Sequence, residues 1–349
     1  MKPSAIFLAF LLVVPTVAAP QGFAGMATAV EGFNDPRPAP AFSFPADHGA
    51  HPDYRIEWWY LTANLQDAAG TDYGLHWTLF RSALAPGDTG GWDSPQVWFA
   101  HAAVTTEDAH LTAERFARGG IGQAGVEIDP FAAWIDEWTL SGETLDALSL
   151  TASGDAFAYD ITLNANGPLI FHGGGGYSVK SPEGQASYYY SQPSYEVTGT
   201  LTLPGGDVVV TGTAWLDREW SSNPLSADQQ GWDWFSLSFD TGEKLMAAQL
   251  RSVDGSRFRS GTWIMPDGTT ESLGDDALTL TPIASTQVAG RDLPVEWRIE
   301  IPSKSVDVSS RPLNAQAWMD ASIPYWEGPV FVTGSHSGRG YLEMTGYEE

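Results

Sequence analysis

The chain has 349 residues, 43% of them hydrophobic, with 15 tryptophans, no cysteine and a formal net charge of −26 from 17 basic and 43 acidic side chains. So much negative charge repels phosphate backbones and anionic lipid headgroups, which argues against nucleic-acid binding and membrane-surface docking. Only 17% of residues are charged and 12% are aromatic, the composition of a folded core and not of a disordered polyanion.

The chain opens MKPSAIFLAFLLVVPTVAAPQG. Lys2 gives a positive start, Ala5 to Val14 an apolar run and Val17-Ala18-Ala19 a small-residue cleavage context, so residues 1–19 are expected to be a cleaved secretory signal peptide. The run is shorter than the roughly 20 residues that cross a bilayer as a helix, and Pro15 interrupts it. The expectation is therefore a periplasmic or secreted protein that is not integral to a membrane. Without cysteine it has no disulfide or thiol chemistry and depends on packing. Residues 20–39 are expected to be flexible, and Asn34 to Pro45 proline-rich and extended.

From there the pattern is one of strands. Between Tyr73 and Arg81, residues Tyr73, Leu75, Trp77 and Leu79 fall on one face while Gly74, His76 and Thr78 fall on the other. The same period of two fits 58–66, 97–105, 194–203, 207–216, 232–239, 245–251, 295–301 and 328–334. Turn residues such as Pro204-Gly205-Gly206-Asp207 and Asp240-Thr241-Gly242-Glu243 separate these runs. Leu111 to Arg118 is compatible with helix, strand or loop. About sixteen antiparallel strands are expected, too many for one small barrel. The polar stretch Ser221 to Gln230 divides them into two barrel-like domains, 40–222 and 231–349, with a linker over 223–230.

Several chemistries are excluded. Gly334-Ser335-His336-Ser337-Gly338 puts histidine where a nucleophile elbow needs serine, and no zinc-protease motif or phosphate loop is present. The glycines after His172 have neither lysine nor helix behind them and read as a loop. What remains are polar groups inside aromatic strands. His48 and His51, with Asp47 or Glu57, read either as a metal site or as hydrogen-bonded ties at a barrel mouth. Glu57 shares a face with Trp59 and Leu61, so it must be paired, with Arg55, Arg81 or Arg218, or protonated. His101 is a core or a catalytic histidine. Tyr188 and Tyr190 share a face and Tyr189 takes the other. In Thr213 to Ser222, Trp215, Asp217 and Glu219 share one face, the acids about 7 Å apart along the strand. Leu216, Arg218 and Trp220 take the opposite one. Two such buried acids cannot both ionise cheaply, so one is expected to hold a proton unless Arg55, Arg81 or His101 reaches them.

These segments resemble the lipocalin-like AttH/carotenoid 1,2-hydratase family. The similarity runs through Asp47-His48 to Glu57-Trp58-Trp59-Tyr60, Phe99-Ala100-His101, Tyr189-Tyr190-Ser191, Gly212 to Trp220, Tyr325-Trp326-Glu327-Gly328 and Gly340 to Tyr347. The resemblance implies two lipocalin-like barrels side by side and a cofactor-free, metal-free site in an apolar cavity. With the residue reading, it names Asp217, Glu219, Glu57 and His101 as catalytic candidates. Trp59, Tyr60, Tyr188, Tyr190, Trp215, Trp220 and Trp232 are the candidate walls for an apolar lipid- or isoprenoid-like ligand. The chemistry implied is alkene hydration, in which a carboxylic acid protonates the double bond, tryptophan faces hold the cation and water adds. The export signal sets this chain apart from a carotenoid hydratase working at the inner face of the membrane. Two alternatives stand beside the enzyme: a non-catalytic carrier associated with an ABC transporter, and a partner-binding module whose filled barrels leave no cavity.

Overall fold

The computed structural model describes residues 31–347, so the signal peptide expected at 1–19 lies outside the described residues, as does 20–30 of the flexible segment. The alternating runs form two antiparallel sheets. The first opens with a meander of β1 (Ile56–Gln66), β2 (Asp72–Ala83), β3 (Gln96–Thr105) and β4 (His110–Arg118). A second meander follows: β5 (Ala124–Ile128), β6 (Phe131–Ile135), β7 (Trp138–Thr144), β8 (Ala147–Ser153) and β9 (Ala158–Ala165). After the short β10 (Ile170–Phe171) and β11 (Tyr177–Val179), β12 (Ala186–Leu203) and β13 (Gly206–Ser221) join the meanders. The resulting order is β4-β3-β2-β1-β13-β12-β9-β8-β7-β6-β5, and the sheet curls until β6 faces β2, β3 and β4. Pro193 in β12 offers no N–H, and there the register with β13 slips between Gln192 and Tyr195.

The second sheet contains β14 (Gln229–Phe239), β15 (Lys244–Ser252), β16 (Arg257–Ile264), β17 (Thr270–Leu273), β18 (Thr279–Val288), β19 (Arg291–Ile301), β20 (Val306–Pro312), β21 (Trp318–Met319), β22 (Tyr325–Gly334) and β23 (Gly338–Met344). Its order is β17-β16-β15-β14-β23-β22-β20-β19-β18. The all-β, two-barrel architecture is as expected, but among the described residues there are 23 strands where about sixteen were expected. The difference lies largely in the strands of two to five residues, β5, β6, β10, β11, β17 and β21, too brief for a period of two to stand out. Leu111 to Arg118 falls in β4, fixed as a strand by its pairing with β3 from Val97↔Arg118 to Thr105↔His110.

Both interiors are filled. Trp59, Trp77 and Trp138 lie at the centre of the first barrel, and Phe235, Trp297 and Trp326 at the centre of the second. A cluster of three charged side chains, Glu57, Arg81 and Arg218, is buried in the first barrel. Glu57 takes Arg81 Nε on one oxygen and Arg218 Nη2 on the other at 2.6 Å, and the His51 backbone N–H donates to it at 2.8 Å. The Arg218 guanidinium lies 3.7 Å from the Trp59 ring centroid. The second barrel repeats the device with Asp233, bound by Arg251 at 2.6 Å and Gln249 at 3.0 Å.

Burial raises the Glu57 carboxyl, but Arg81 and Arg218 outweigh it and hold the group well below the usual carboxylate range. Its stabilisation is therefore present above about pH 4.5 and is lost as the pH falls below that value. Glu57→Ala leaves two buried guanidiniums without their anion, a loss of about 3–5 kcal/mol. The expected result is a lower urea midpoint at pH 7 and a smaller loss of stability than the parent protein shows on acidification.

Candidate active site

The geometry of the site follows from strand parity. Along β1, Glu57, Trp59 and Leu61 point into the first barrel and Trp58 and Tyr60 point out. Along β13, Leu216, Arg218 and Trp220 point in, while Trp215, Asp217 and Glu219 point out. The register sets Trp58 opposite Glu219 and Tyr60 opposite Asp217. The second sheet follows the same scheme: Phe235 and Leu342 point in, Trp232, Trp234 and Glu343 point out, and Trp234 lies opposite Glu343. Where the two outer faces meet they leave a chamber that is partly open to solvent. Trp58, Tyr60, Phe80, Trp232 and Trp234 form its aromatic walls, Leu225 and Leu250 contribute apolar surface, and Lys180, Asp217, Glu219 and Glu343 are its charged groups.

Asp217 is 3% exposed, and among the described residues no cation pairs with it. Tyr189 Oη donates to Oδ2 at 2.7 Å, and Trp215 Nε1 donates to Oδ1 at 2.6 Å, where Ser191 Oγ also donates. Behind Ser191, His172 Nε2 lies 2.6 Å from its hydroxyl and His172 Nδ1 lies 2.9 Å from Thr262 Oγ1. Burial, and then Lys180, push the His172 pKa down to about 3, so the ring is neutral and passes its N–H to Ser191. Trp234 Nε1 donates to Tyr189 Oη at 3.1 Å, tying Asp217 to the second sheet. Burial pushes the Asp217 carboxyl up to about 7; its three hydrogen bonds pull against that and Glu219 adds to it.

Glu219 is different, because Lys180 Nζ lies 2.8 Å away and Ser187 donates to the same oxygen. Across the chamber, Glu343 accepts from Trp232 Nε1 and faces Glu327 directly in the register of β22 and β23. Glu327 is fully buried, accepts from Tyr60 Oη at 2.8 Å, and has no donor on its other oxygen. Burial, and then the Glu343 charge, push the Glu327 carboxyl well above the usual carboxylate range, which favours its neutral form beside Glu343. Glu343 itself is pushed up to about 7, mainly by burial and further by Asp217 and Glu219. The chamber thus holds groups that exchange protons near neutral pH, walled by aromatic rings.

Of the residues singled out from sequence, Asp217, Glu219, Tyr60 and Trp232 line the chamber, and Trp215 stands one layer behind as a donor to Asp217. Six others lie elsewhere. Glu57 and Trp59 are inside the first barrel. Tyr188, Tyr190 and Trp220 close that barrel's mouth with Phe42, because they share the inward parity of Arg218. His101 sits one ring behind Phe80, between Tyr325 Oη at 2.9 Å and Glu114 at 3.1 Å. The cation expected beside the paired acids from Arg55, Arg81 or His101 is instead Lys180, and only for Glu219, since Arg81 is engaged by Glu57. His48 meets Tyr190 Oη at 2.7 Å. His51 stacks on Trp220 at 4.0 Å, with Arg218 Nη2 3.2 Å from its Nδ1, an unfavourable neighbour for a metal cation. Lys180, Tyr189, Trp58, Trp234, Glu327 and Glu343 were not named as site residues. The last two stood in the Tyr325 to Gly328 and Gly340 to Tyr347 segments, but their partnership across strands had no local signal.

The profile of the AttH-like family matches residues 35–347. The crystal structure of an AttH protein from Nitrosomonas europaea is 34% identical, covers 90% of this chain and 99% of its own, and superposes with a TM-score of 0.83. Kievitone hydratase from Nectria haematococca shares the fold at a TM-score of 0.67 with 17% identity, over 92% of this chain and 98% of its own. No curated protein sequence matches the chain.

A folded-state carboxyl raised above its unfolded value adds stability that is present below the unfolded value, near pH 3.8 for Asp217, and lost as pH rises to about 7. At about 1.4 kcal/mol per unit, the loss is on the order of 4 kcal/mol for this one residue. Asp217→Asn cannot ionise, so its stability relative to the parent should improve by several kcal/mol between pH 4 and pH 8. Urea unfolding followed by tryptophan fluorescence at the two pH values measures it.

Proposed function

The chain belongs to the AttH-like family, and from that premise we propose that its inter-sheet chamber adds water across the double bond of an apolar, isoprenoid-like molecule. The observation that carries the reading is Asp217: a buried carboxyl on an aromatic wall, held by three neutral donors, whose pKa of about 7 leaves it protonated in useful amounts at neutral pH. The shared fold with a hydratase supports it. In this reading the Asp217 proton goes to the less substituted alkene carbon, the π pair forms the new C–H bond, and a cation remains at the more substituted carbon. The rings of Trp58, Tyr60 and Trp234 face that charge, worth about 2 kcal/mol when desolvated. The Asp217 carboxylate now present keeps the Tyr189, Ser191 and Trp215 hydrogen bonds, which strengthen as the acceptor becomes ionised. Water attacks the cation, Glu343 takes the proton released, and its return to Asp217 through water restores the site. Alkene and water are consumed and one alcohol is formed.

Glu57 and His101 have no part in this scheme; they brace the first barrel and its seam. Lys180 holds Glu219 in place at the chamber wall. In this proposal the signal peptide expected at residues 1–19 directs the protein out of the cytoplasm, so the reaction takes place there, and a transporter partner is not needed for it.

Incubation with isoprenoid alkenes in ¹⁸O-water should give an alcohol carrying one ¹⁸O, read by mass spectrometry. Asp217→Asn, checked for fold by circular dichroism, should lose about 10²- to 10⁴-fold in turnover, the range of a general acid. The rate should fall on the alkaline side as Asp217 loses its proton through about pH 7, and on the acid side as Glu343 gains one. Full activity in the folded Asp217→Asn variant would refute Asp217 as the acid, and ligand binding without any incorporation of ¹⁸O would refute hydration.

A further inference from the structure

The chamber is short of positive charge. Asp217, Glu219 and Glu343 face it, and among the described residues that line it Lys180 is the one basic group. Lys180 lies 2.8 Å from Glu219 and is committed there. The other groups packed around the two remaining acids supply no cation: Tyr60 from β1, Tyr189 from β12, Glu327 from β22, whose carboxyl burial pushes well above the usual range, and His172 behind Ser191, pushed down to about 3 by burial. Desolvated acids with no cation keep their protons, and a cation entering the site would let both ionise. Trp58, Tyr60, Phe80, Trp232 and Trp234 surround the same space, with Tyr60 and Trp234 edge to face at 5.2 Å. Aromatic rings with adjacent carboxylates are the arrangement that recognises quaternary ammonium groups.

We propose that the chamber is a binding site for an organic cation, an alkylammonium with an apolar body, held between the tryptophan faces and the carboxylates of Asp217 and Glu343. This rests on the same chamber being a ligand site as the proposed function does, but it requires no reaction. An ammonium of this kind has the charge and shape of the cation that alkene protonation would create, and it displaces the protons of Asp217 and Glu343 when it binds.

Choline and its neutral isostere 3,3-dimethylbutan-1-ol, titrated into the full chain with tryptophan fluorescence as readout, test the proposal. At pH 8.5 choline should bind at least tenfold tighter than the isostere. At pH 5.5, where both acids are protonated, the preference should collapse. Calorimetry near pH 7 in two buffers of different ionisation enthalpy should show proton release on choline binding. The double variant Asp217→Asn, Glu343→Gln should lose the preference at both pH values. Equal affinities for the two probes, an affinity for choline that does not change with pH, or full preference in the folded double variant would overturn it. The comparison of probes and the proton release need no variant, so a misfolded variant leaves the test intact. A chain that hydrates alkenes but ignores choline fails this inference alone; one that binds choline and hydrates nothing fails the hydratase reading alone.

Discussion

A β-strand has two faces, and β13 carries opposite electrostatics on them. Inward, Arg218 lies against Trp59 and neutralises Glu57 inside the first barrel. Outward, Asp217 and Glu219 meet the second sheet, and the guanidinium of Arg218, the residue between them, cannot reach round the backbone to serve them. The basic group nearest in sequence is therefore unavailable to the acids, which depend on other elements for partners. Glu219 finds Lys180; Asp217 finds only neutral donors. The proton affinity of the chamber follows from that division.

The second barrel repeats the scheme with different residues. Its first strand, β14, buries Asp233 inward against Arg251 and turns Trp232 and Trp234 outward, much as β1 buries Glu57 against Arg81 and turns Trp58 outward. Its last strand, β23, sets Glu343 opposite Trp234 as β13 sets Glu219 opposite Trp58. Two filled barrels thus meet through equivalent outer faces, and the space left between them is lined by tryptophan and carboxyl from both sides. The chamber is between the barrels and not inside either, because both interiors are closed by their own aromatic side chains.

Acid-aromatic pairs do not all mean the same thing in this fold. Glu57-Trp58 and Trp326-Glu327 look alike as dipeptides, yet Glu57 points into its barrel while Glu327 points out to Tyr60 Oη. The first meets two guanidiniums, which hold its carboxyl well below the usual range; the second meets a tyrosine and another carboxyl, and burial pushes it well above that range. One residue of difference in parity separates a structural ion cluster from an uncompensated carboxyl pair beside the chamber.

The sequence by itself determined the all-β class, the two-barrel architecture and the faces of β13, because a period of two and the turn glycines are local properties of the backbone. It also singled out Asp217 and Glu219 as neighbours, since both positions lie on one strand. It did not separate Tyr189, which donates to Asp217, from Tyr188 and Tyr190, which close a barrel mouth; alternation was visible there, but which face looked outward was not. Lys180, Glu327 and Glu343 were beyond its reach for a related reason. They come to the chamber through pairings over 100 residues from Asp217 or through a turn with no periodicity, and which outer face meets which is settled only when both sheets have curled and packed. Tertiary structure decided the partners, and the partners decide where the protons sit.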